Sequence, residues 1–156
     1  MSLCIVSLMS PLKDCFLVCF TVGASPAGVI LDAPYTTIKD AAFYHPFGIP
    51  YWPVMSSFFK PVVIDHIEEE FPVVRYVQNI TCPLLIFHGK RDLIIPFHLG
   101  LQVYYSAVNS AEDKSRVFFH ECGDSTHKKN YLSRNFSTAL NRFMEYTREY
   151  KSQLST

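Results

Sequence analysis

Asp92 and His127 are the two residues whose types and surroundings suggest chemistry. Asp92 lies in "HGKRDLIIP" and His127 in "ECGDSTHKK", and each polar segment follows a short apolar run. A carboxylate that accepts the Nδ1 proton of an imidazole fixes its tautomer and stabilises the imidazolium, which leaves Nε2 free as a general base. An aspartate in a turn and a histidine in a solvated loop are the ordinary alternatives. The pair predicts acid–base chemistry if the fold brings the two loops together.

Three apolar runs with the length of buried strands alternate with helical patterns. Continuous apolar runs bounded by Pro, Gly or Asp are typical of strands that are buried on both faces of a parallel sheet. Elsewhere apolar residues recur at helical spacing, and Thr37 with Asp40 has the spacing of a capping box. The predicted strands are "GVILDAP", "CPLLIFHG" and "SRVFFHE", and the predicted helices are "TIKDAAFYH", "IDHIEEEF", "FHLGLQVYYSAV" after Pro96, and an amphipathic helix from Tyr131 to about Tyr150.

The order of these elements predicts an α/β fold, in which helices cover the faces of a parallel sheet. In such sheets the polar groups that act on ligands gather in loops that leave the carboxyl ends of the strands. Asp92 follows the second predicted strand and His127 follows the third, so we expect their loops to be neighbours. We expect the domain to span residues 23–150, with an atypical apolar segment at 1–22 before it and a tail at 151–156 after it.

The composition of the 156-residue chain argues against several classes of protein. Its 14 basic and 14 acidic residues balance, so the totals show no basic surface for nucleic acid. The five cysteines have no Cys-x-x-Cys spacing, which argues against a disulfide framework and a structural zinc site. The acidic "DHIEEE" segment is more simply a solvated helix face than a metal site. We therefore expect no metal, no other cofactor and no nucleic-acid partner.

Three segments resemble a known family. "ILDAPYTTIKDAAFYHPF", "NITCPLLIFHGKRDLIIPFHLGLQVY" and "STHKKNYL" are similar to the carboxyl-terminal half of the α/β hydrolases that cleave monoacylglycerols and lysophosphatidylserine. The resemblance implies a partial α/β-hydrolase fold with its last three parallel strands, in which Asp92 and His127 are the acid and the base of a Ser-Asp-His triad. It also implies a lipid ester substrate, association with a membrane surface, and a location at the endoplasmic reticulum membrane or in its lumen.

An irregular apolar flap is predicted between the first helix and the second strand. Residues 46–62, "PFGIPYWPVMSSFFKPV", hold four of the ten prolines, so no long regular element fits there. In a lipid hydrolase the aromatic residues of this flap would line an acyl pocket or form a lid, although packing in an ordinary core explains them equally well. These residues are Phe47, Tyr51, Trp52, Phe58 and Phe59.

The nucleophile that such a triad requires is not recognisable in the sequence. Ser25, in "VGASPAGVILD", is the serine of an incomplete Gly-x-Ser-x-Gly motif. It lies just before a predicted strand, whereas a nucleophilic serine lies on a turn from a strand into a helix. Pro26 also lacks the backbone N–H that an oxyanion hole takes from the residue after the serine. Ser7 and Ser10 have no flanking glycines. We therefore expect the nucleophile upstream of residue 1, while a short cleaved signal peptide remains an alternative for the apolar amino terminus.

Two functions remain open from the sequence. The first is a serine esterase or lipase that acts on monoacyl lipid esters such as monoacylglycerol or lysophospholipid, with its nucleophile-bearing half absent from this chain. The second is an inactive truncated isoform or fragment that serves as a binding or interaction module. Without a neighbour, the "VILDA" strand would be an exposed apolar edge, and exposed edges promote self-association. A third and weaker alternative is an α/β domain in which Asp92 and His127 are coincidental.

Overall fold

The computed structural model describes residues 3–7, 26–44, 72–127 and 129–154. The flap at 46–62 and the helix predicted over "IDHIEEEF" lie outside these residues, so both remain predictions. The same holds for the five aromatic residues of the flap, Phe47, Tyr51, Trp52, Phe58 and Phe59.

Four described strands form one parallel sheet, and they lie side by side in the order in which they occur along the chain. The strands are β1 (Leu3–Ser7), β2 (Gly28–Asp32), β3 (Leu84–Gly89) and β4 (Val117–Cys122). The register pairs Leu31 with Ile86 and Phe87 with His120. The three strands predicted from the sequence are therefore confirmed as neighbours, and β3 is buried along its whole length.

β1 is a strand that the sequence analysis did not predict. It pairs in parallel with β2, from Leu3 beside Gly28 to Ser7 beside Asp32. Its sequence "LCIVS" includes Ile and Val, whose branched side chains favour strands, and the run is as apolar as the "GVILD" of β2. β2 is therefore an interior strand with a partner on each side. The expectation that β2 forms an exposed edge is wrong, because β1 occupies that side of β2. Self-association of the chain stays a prediction.

The described helices are α1 (Ile38–Tyr44), α2 (Val73–Tyr76), α3 (Phe97–Ser110) and α4 (Phe136–Leu154). α1 has the predicted cap, since Thr37 Oγ1 accepts the amide proton of Asp40 at 3.0 Å. α3 begins directly after Pro96, whose fixed φ suits the start of a helix. None of the described helices is both long enough and apolar enough to cross a membrane.

The last helix begins later than its sequence pattern predicts. Asn130–Leu132 form a single 3-10 turn, and α4 starts only at Phe136. Within the turn, Tyr131 is 61% exposed and Leu132 is 64% exposed. Leu132 lies four residues before Phe136, as on one face of a helix, but neither Tyr131 nor Leu132 belongs to the buried face of α4.

The last helix also ends later than predicted. The apolar pattern predicts its end at about Tyr150, whereas α4 continues to Leu154. The four residues that follow Tyr150 include neither Gly nor Pro, so nothing in the chain stops the helix at the predicted point.

Alternating side chains of β2 and β3 supply two apolar cores, one on each face of the sheet. One core packs β2, β3 and β4 against α2 and α3, and the other packs β2, β3 and β4 against α4. The first core includes Val29, Leu31, Leu84, Ile86, Val103 and Ala107, and the second includes Ile30, Leu85, Phe87 and Phe143. Because the four strands are parallel, their carboxyl ends lie along one edge of the sheet, where the loops after β3 and β4 begin.

Candidate active site

Asp92 lies in the loop between β3 and α3, residues 90–96, which we call the acid loop. Its Oδ1 accepts hydrogen bonds from the amides of Ile94 and Ile95, both at 2.9 Å, and its own amide donates to the Gly89 carbonyl at 3.2 Å. The Asp92 side chain is wholly buried. With Oδ1 held by two backbone donors, Oδ2 is the oxygen left to bind a side chain.

His127 supplies that side chain from the loop between β4 and the last 3-10 turn, residues 123–129, which we call the base loop. The distance between its Nδ1 and Asp92 Oδ2 is 2.8 Å, so the imidazole donates its Nδ1 proton to the carboxylate. The His127 side chain is 14% exposed, whereas that of Asp92 is fully buried. The structure thus brings together the two residues that the sequence analysis paired, and it leaves Nε2 without the proton in this tautomer.

The acid loop and the base loop are joined by backbone hydrogen bonds. The amide of Lys90 donates to the Cys122 carbonyl at 3.0 Å, and the amide of Arg91 donates to the Ser125 carbonyl at 3.2 Å. The loops meet so closely at Gly89 that a Cβ there would lie 2.8 Å from the Ser125 carbonyl oxygen. His127 can therefore come close to Asp92 only because residue 89 has no side chain.

A second link holds the base loop to β2. Asn130 is completely buried just after this loop, and its Nδ2 donates to Asp32 Oδ1 at 2.6 Å. Sequence reasoning missed both residues. The available signal was the Asp that closes the apolar run "GVILD", because a carboxylate at the end of a buried strand needs a partner.

His88 lies at the end of β3, one residue before Gly89, and is completely buried. Its Nε2 donates to the Ile95 carbonyl at 2.9 Å, which connects the strand to the far end of the acid loop. Burial holds the pKa of His88 below its ordinary value of 6.5, against the opposing effects of the bond to Ile95 and of the Asp92 charge. The complete burial of its ring favours a structural role for His88.

The other two histidines that the structure describes lie away from the pair. His98 is exposed on α3, where its ring packs edge-on to Tyr44 with 4.7 Å between centroids. His120 lies on β4 with its ring edge-on to Phe87, and burial lowers its pKa. Among residues 26–44, 72–127 and 129–154, no three His, Cys, Asp or Glu side chains converge as metal ligands would.

A cavity of about 600 Å³ lies between β4 and α4. Its walls are mainly aromatic and aliphatic, and neither Asp92 nor His127 borders it. The cavity therefore lies apart from the candidate site, and it gives no substrate pocket for the pair.

The described strands and helices form part of an α/β-hydrolase fold. The structure is similar to the Pyrococcus furiosus esterase Pf2001, with a TM-score of 0.58 and 18% sequence identity over 92% of this chain and 52% of that one. It is also similar to the Pyrococcus horikoshii acylaminoacyl peptidase, with a TM-score of 0.61 and 17% identity over 94% of this chain and 23% of that one. At these identities the similarity establishes the fold alone.

In sequence, the chain is similar to lysophosphatidylserine lipases. It is 35% identical over 131 residues to lysophosphatidylserine lipase ABHD12 of Xenopus tropicalis, which covers 80% of this chain and 33% of the relative. It is 32% identical over 126 residues to the protein of the same name from Rattus norvegicus, which covers 76% of this chain and 31% of the relative. No protein-family model matches the sequence. The chain thus spans about a third of the length of the curated relatives it matches.

Proposed function

We propose that this chain carries the acid–base pair of a serine esterase or lipase that acts on monoacyl lipid esters. Asp92 is the acid that orients His127, and His127 is the general base of the triad. The substrate class is monoacylglycerol or lysophospholipid. The proposal for the substrate rests on the relatives, which are named lysophosphatidylserine lipases.

The hydrogen bond between Asp92 and His127 is the observation that carries the proposal. At 2.8 Å, it lies within the range of a charge-assisted N–H···O bond. Two backbone amides hold Oδ1 of the buried carboxylate, and this fixes the direction in which Oδ2 points. A hydrogen-bonded imidazole with one ring nitrogen left basic is the arrangement that activates a hydroxyl nucleophile.

The proposed reaction is acyl transfer through a covalent intermediate. His127 Nε2 removes the proton of the serine hydroxyl as its oxygen attacks the ester carbonyl, and Asp92 stabilises the imidazolium that forms. His127 then returns this proton to the departing alcohol, which leaves an acyl-enzyme. Water, deprotonated by the same imidazole, attacks the acyl carbonyl and releases the fatty acid.

We infer that the nucleophile of this reaction lies outside this chain. β1 occupies the position beside β2, and its last residue, Ser7, lies at the carboxyl edge of the sheet by its backbone register. Because the residues around Ser7 lack the glycines of a nucleophile turn, we expect the serine on a segment that this chain does not contain.

Hydrolysis by the native gene product tests the proposal. The protein isolated from its natural source is assayed with lysophosphatidylserine and monoacylglycerol, and its intact mass is compared with 17.9 kDa. We expect His127→Ala to abolish turnover and His98→Ala, which removes an exposed histidine on α3, to leave it unchanged. Hydrolysis that survives His127→Ala would refute the assignment.

A fluorophosphonate probe, which reacts with activated serines, tests where the nucleophile lies. The 156-residue chain alone is expected to remain unlabelled, and a longer native product is expected to be labelled outside this chain. Peptide mapping that finds the label at Ser7 or Ser25 would show that the chain contains its own nucleophile.

An inactive truncated isoform or fragment that serves as a binding or interaction module is the second candidate, because no Gly-x-Ser-x-Gly motif of a nucleophile is recognisable in the sequence. Such a chain would bind vesicles of phosphatidylcholine that contain lysophosphatidylserine, without any loss of the lysolipid. Co-sedimentation and lipid analysis of the same sample separate the two candidates, since only the enzyme consumes the lysolipid.

A further inference from the structure

We propose that His88 is a positioning residue, which holds the acid loop in the geometry that lets Asp92 meet His127. The chemical purpose of this role rests on the proposed function, but the role itself concerns the structure of the loop. His88 neither contacts the reacting atoms nor shares the proton that moves between His127 and the substrate.

The role follows from a chain of hydrogen bonds that crosses the acid loop. His88 Nε2 donates to the carbonyl of Ile95, and the amide of Ile95 donates to Asp92 Oδ1. The second carboxylate oxygen of Asp92 then accepts the proton of His127 Nδ1. Ile95 therefore links the two side chains: its carbonyl binds His88 of β3, and its amide binds the carboxylate of Asp92.

His88 does not compete with His127 for the carboxylate. Its Nε2 lies 3.9 Å from Asp92 Oδ2, which is too far for a hydrogen bond. With Nε2 donating to a carbonyl, Nδ1 is the unprotonated nitrogen, and this buried Nδ1 has no hydrogen-bond partner among the residues that the structure describes. The imidazole therefore acts as a neutral donor through Nε2.

Gly100 of α3 fixes the position of the His88 ring. A Cβ at Gly100 would lie 2.2 Å from His88 Nδ1, far inside van der Waals contact. Phe97 covers the ring from the same helix, edge-on at 5.7 Å between centroids. The helix that follows the acid loop and the strand that precedes it therefore meet at the His88 imidazole, which spans the base of the loop.

Amide hydrogen exchange and proton NMR on the full chain test this role without requiring hydrolysis. In His88→Leu the donor to Ile95 is lost, and we expect the amides of Ile94 and Ile95 to exchange at least tenfold faster. The downfield resonance of the His127 Nδ1 proton is expected to broaden or disappear. His88→Gln places an N–H donor near the original Nε2, so it is expected to retain both signals.

Gly100→Ala tests the same geometry while His88 stays in place. The added methyl group must displace the imidazole, so the same two amides are expected to lose protection. Gly123→Ala is the matched control, because a Cβ at Gly123 meets no atom within 4 Å. If His88→Leu fails to fold, the comparison of Gly100→Ala with Gly123→Ala gives the result.

Three results would overturn the role of His88. The first is that the amides of Ile94 and Ile95 keep their protection from exchange in folded His88→Leu. The second is that His88→Gln loses as much of this protection as His88→Leu does. The third is that folded Gly100→Ala keeps the protection of both amides. If the 156-residue chain shows all the expected exchange effects but the native gene product hydrolyses neither lysophosphatidylserine nor monoacylglycerol, the proposed function is refuted and the positioning role stands.

Discussion

Asn130 and Asp32 join the base loop to the second strand of the sheet, through a hydrogen bond of 2.6 Å between Asn130 Nδ2 and Asp32 Oδ1. Asn130 is completely buried three residues after His127, and Asp32 is the last residue of β2. The base loop is also bonded to the acid loop through Ser125. His127 therefore lies on a segment that is anchored on both sides, which limits how far its imidazole can move from Asp92.

Asn130→Ala is expected to destabilise the fold by about 2 kcal/mol, because a hydrogen bond from a buried amide to a carboxylate is lost. Urea denaturation followed by circular dichroism measures the change in the free energy of unfolding. Asn109→Ala, which truncates an exposed asparagine on α3, is the control, with an expected change within about 0.5 kcal/mol. Equal changes in the two variants would show that the Asn130 bond contributes no net stability.

Asp92→Asn is expected to lower kcat of the native enzyme by about 10³ to 10⁴ while the fold is retained. The amide oxygen can still accept the protons of Ile94 and Ile95, but an NH₂ group would then face His127 Nδ1. The imidazole must present Nδ1 as an acceptor, so its proton moves to Nε2 and the general base is lost.

Steady-state hydrolysis of a monoacyl ester separates this effect from a loss of binding. We expect KM to stay within about threefold, because the substitution removes no proposed substrate contact. Asp113→Asn, at an exposed aspartate bonded to Ser115, serves as the control and should leave kcat unchanged. A fall of less than tenfold in the Asp92 variant would argue that Asp92 does not set the tautomer of His127.

The sequence predicts the strands and the pairing of the two loops because those features depend on local signals. Continuous apolar runs mark β2, β3 and β4, and parallel strands place the loops of Asp92 and His127 at one edge. Family resemblance adds the roles of the pair, but not its geometry. Asp92 is buried and accepts hydrogen bonds from two backbone amides because of a local turn, which single-residue propensities do not describe.

Other features were missed because they depend on contacts between distant parts of the chain. Asn130 stands in a polar loop and is nonetheless buried, because Asp32, 98 residues away, binds it. β1 was missed for a similar reason, since a five-residue apolar run becomes a strand only beside a partner such as β2. Tyr131 and Leu132 show the opposite error, in which helical spacing occurs in an exposed turn.

Gly89→Ala is expected to destabilise the fold by about 1 to 3 kcal/mol, because the added methyl group has no room between the two loops. Its Cβ would lie 2.8 Å from the Ser125 carbonyl oxygen and 3.0 Å from Asn130 Oδ1. Both neighbours belong to the segment that carries His127, so the displacement should also separate His127 from Asp92.

The midpoint of urea unfolding and the His127 Nδ1 proton resonance report these two effects of Gly89→Ala. Gly123→Ala is the matched control within the base loop, since a Cβ there is free of contacts, and it should change neither signal. If Gly89→Ala matched this control in both measurements, the close approach of the two loops at Gly89 would not exist in solution.

The stability of the fold is expected to fall as the pH decreases below 6.5, and buried His88 contributes to this fall. Burial holds the pKa of His88 below its ordinary value of 6.5 in the folded chain, so the unfolded chain takes up this proton first. The stability that neutral His88 contributes is thus complete above pH 6.5 and is lost progressively as the pH falls toward the lowered folded-state pKa. Asp92 and Asp32 oppose this lowering through their charges, and His127 adds to it.

Urea denaturation between pH 7.5 and 5 of the unmodified chain and of His88→Gln measures this dependence. One group that binds a proton only in the unfolded state gives a slope of at most about 1.4 kcal/mol per pH unit. His88→Gln is expected to remove that part of the slope and to leave the part due to His120, whose pKa is also lowered by burial. Asn109→Ala, at an exposed position on α3 that carries no titratable group, should keep the original slope. An unchanged slope in His88→Gln would mean that His88 takes up its proton equally in the folded and unfolded chains, and thus that its ring is not buried as a neutral donor.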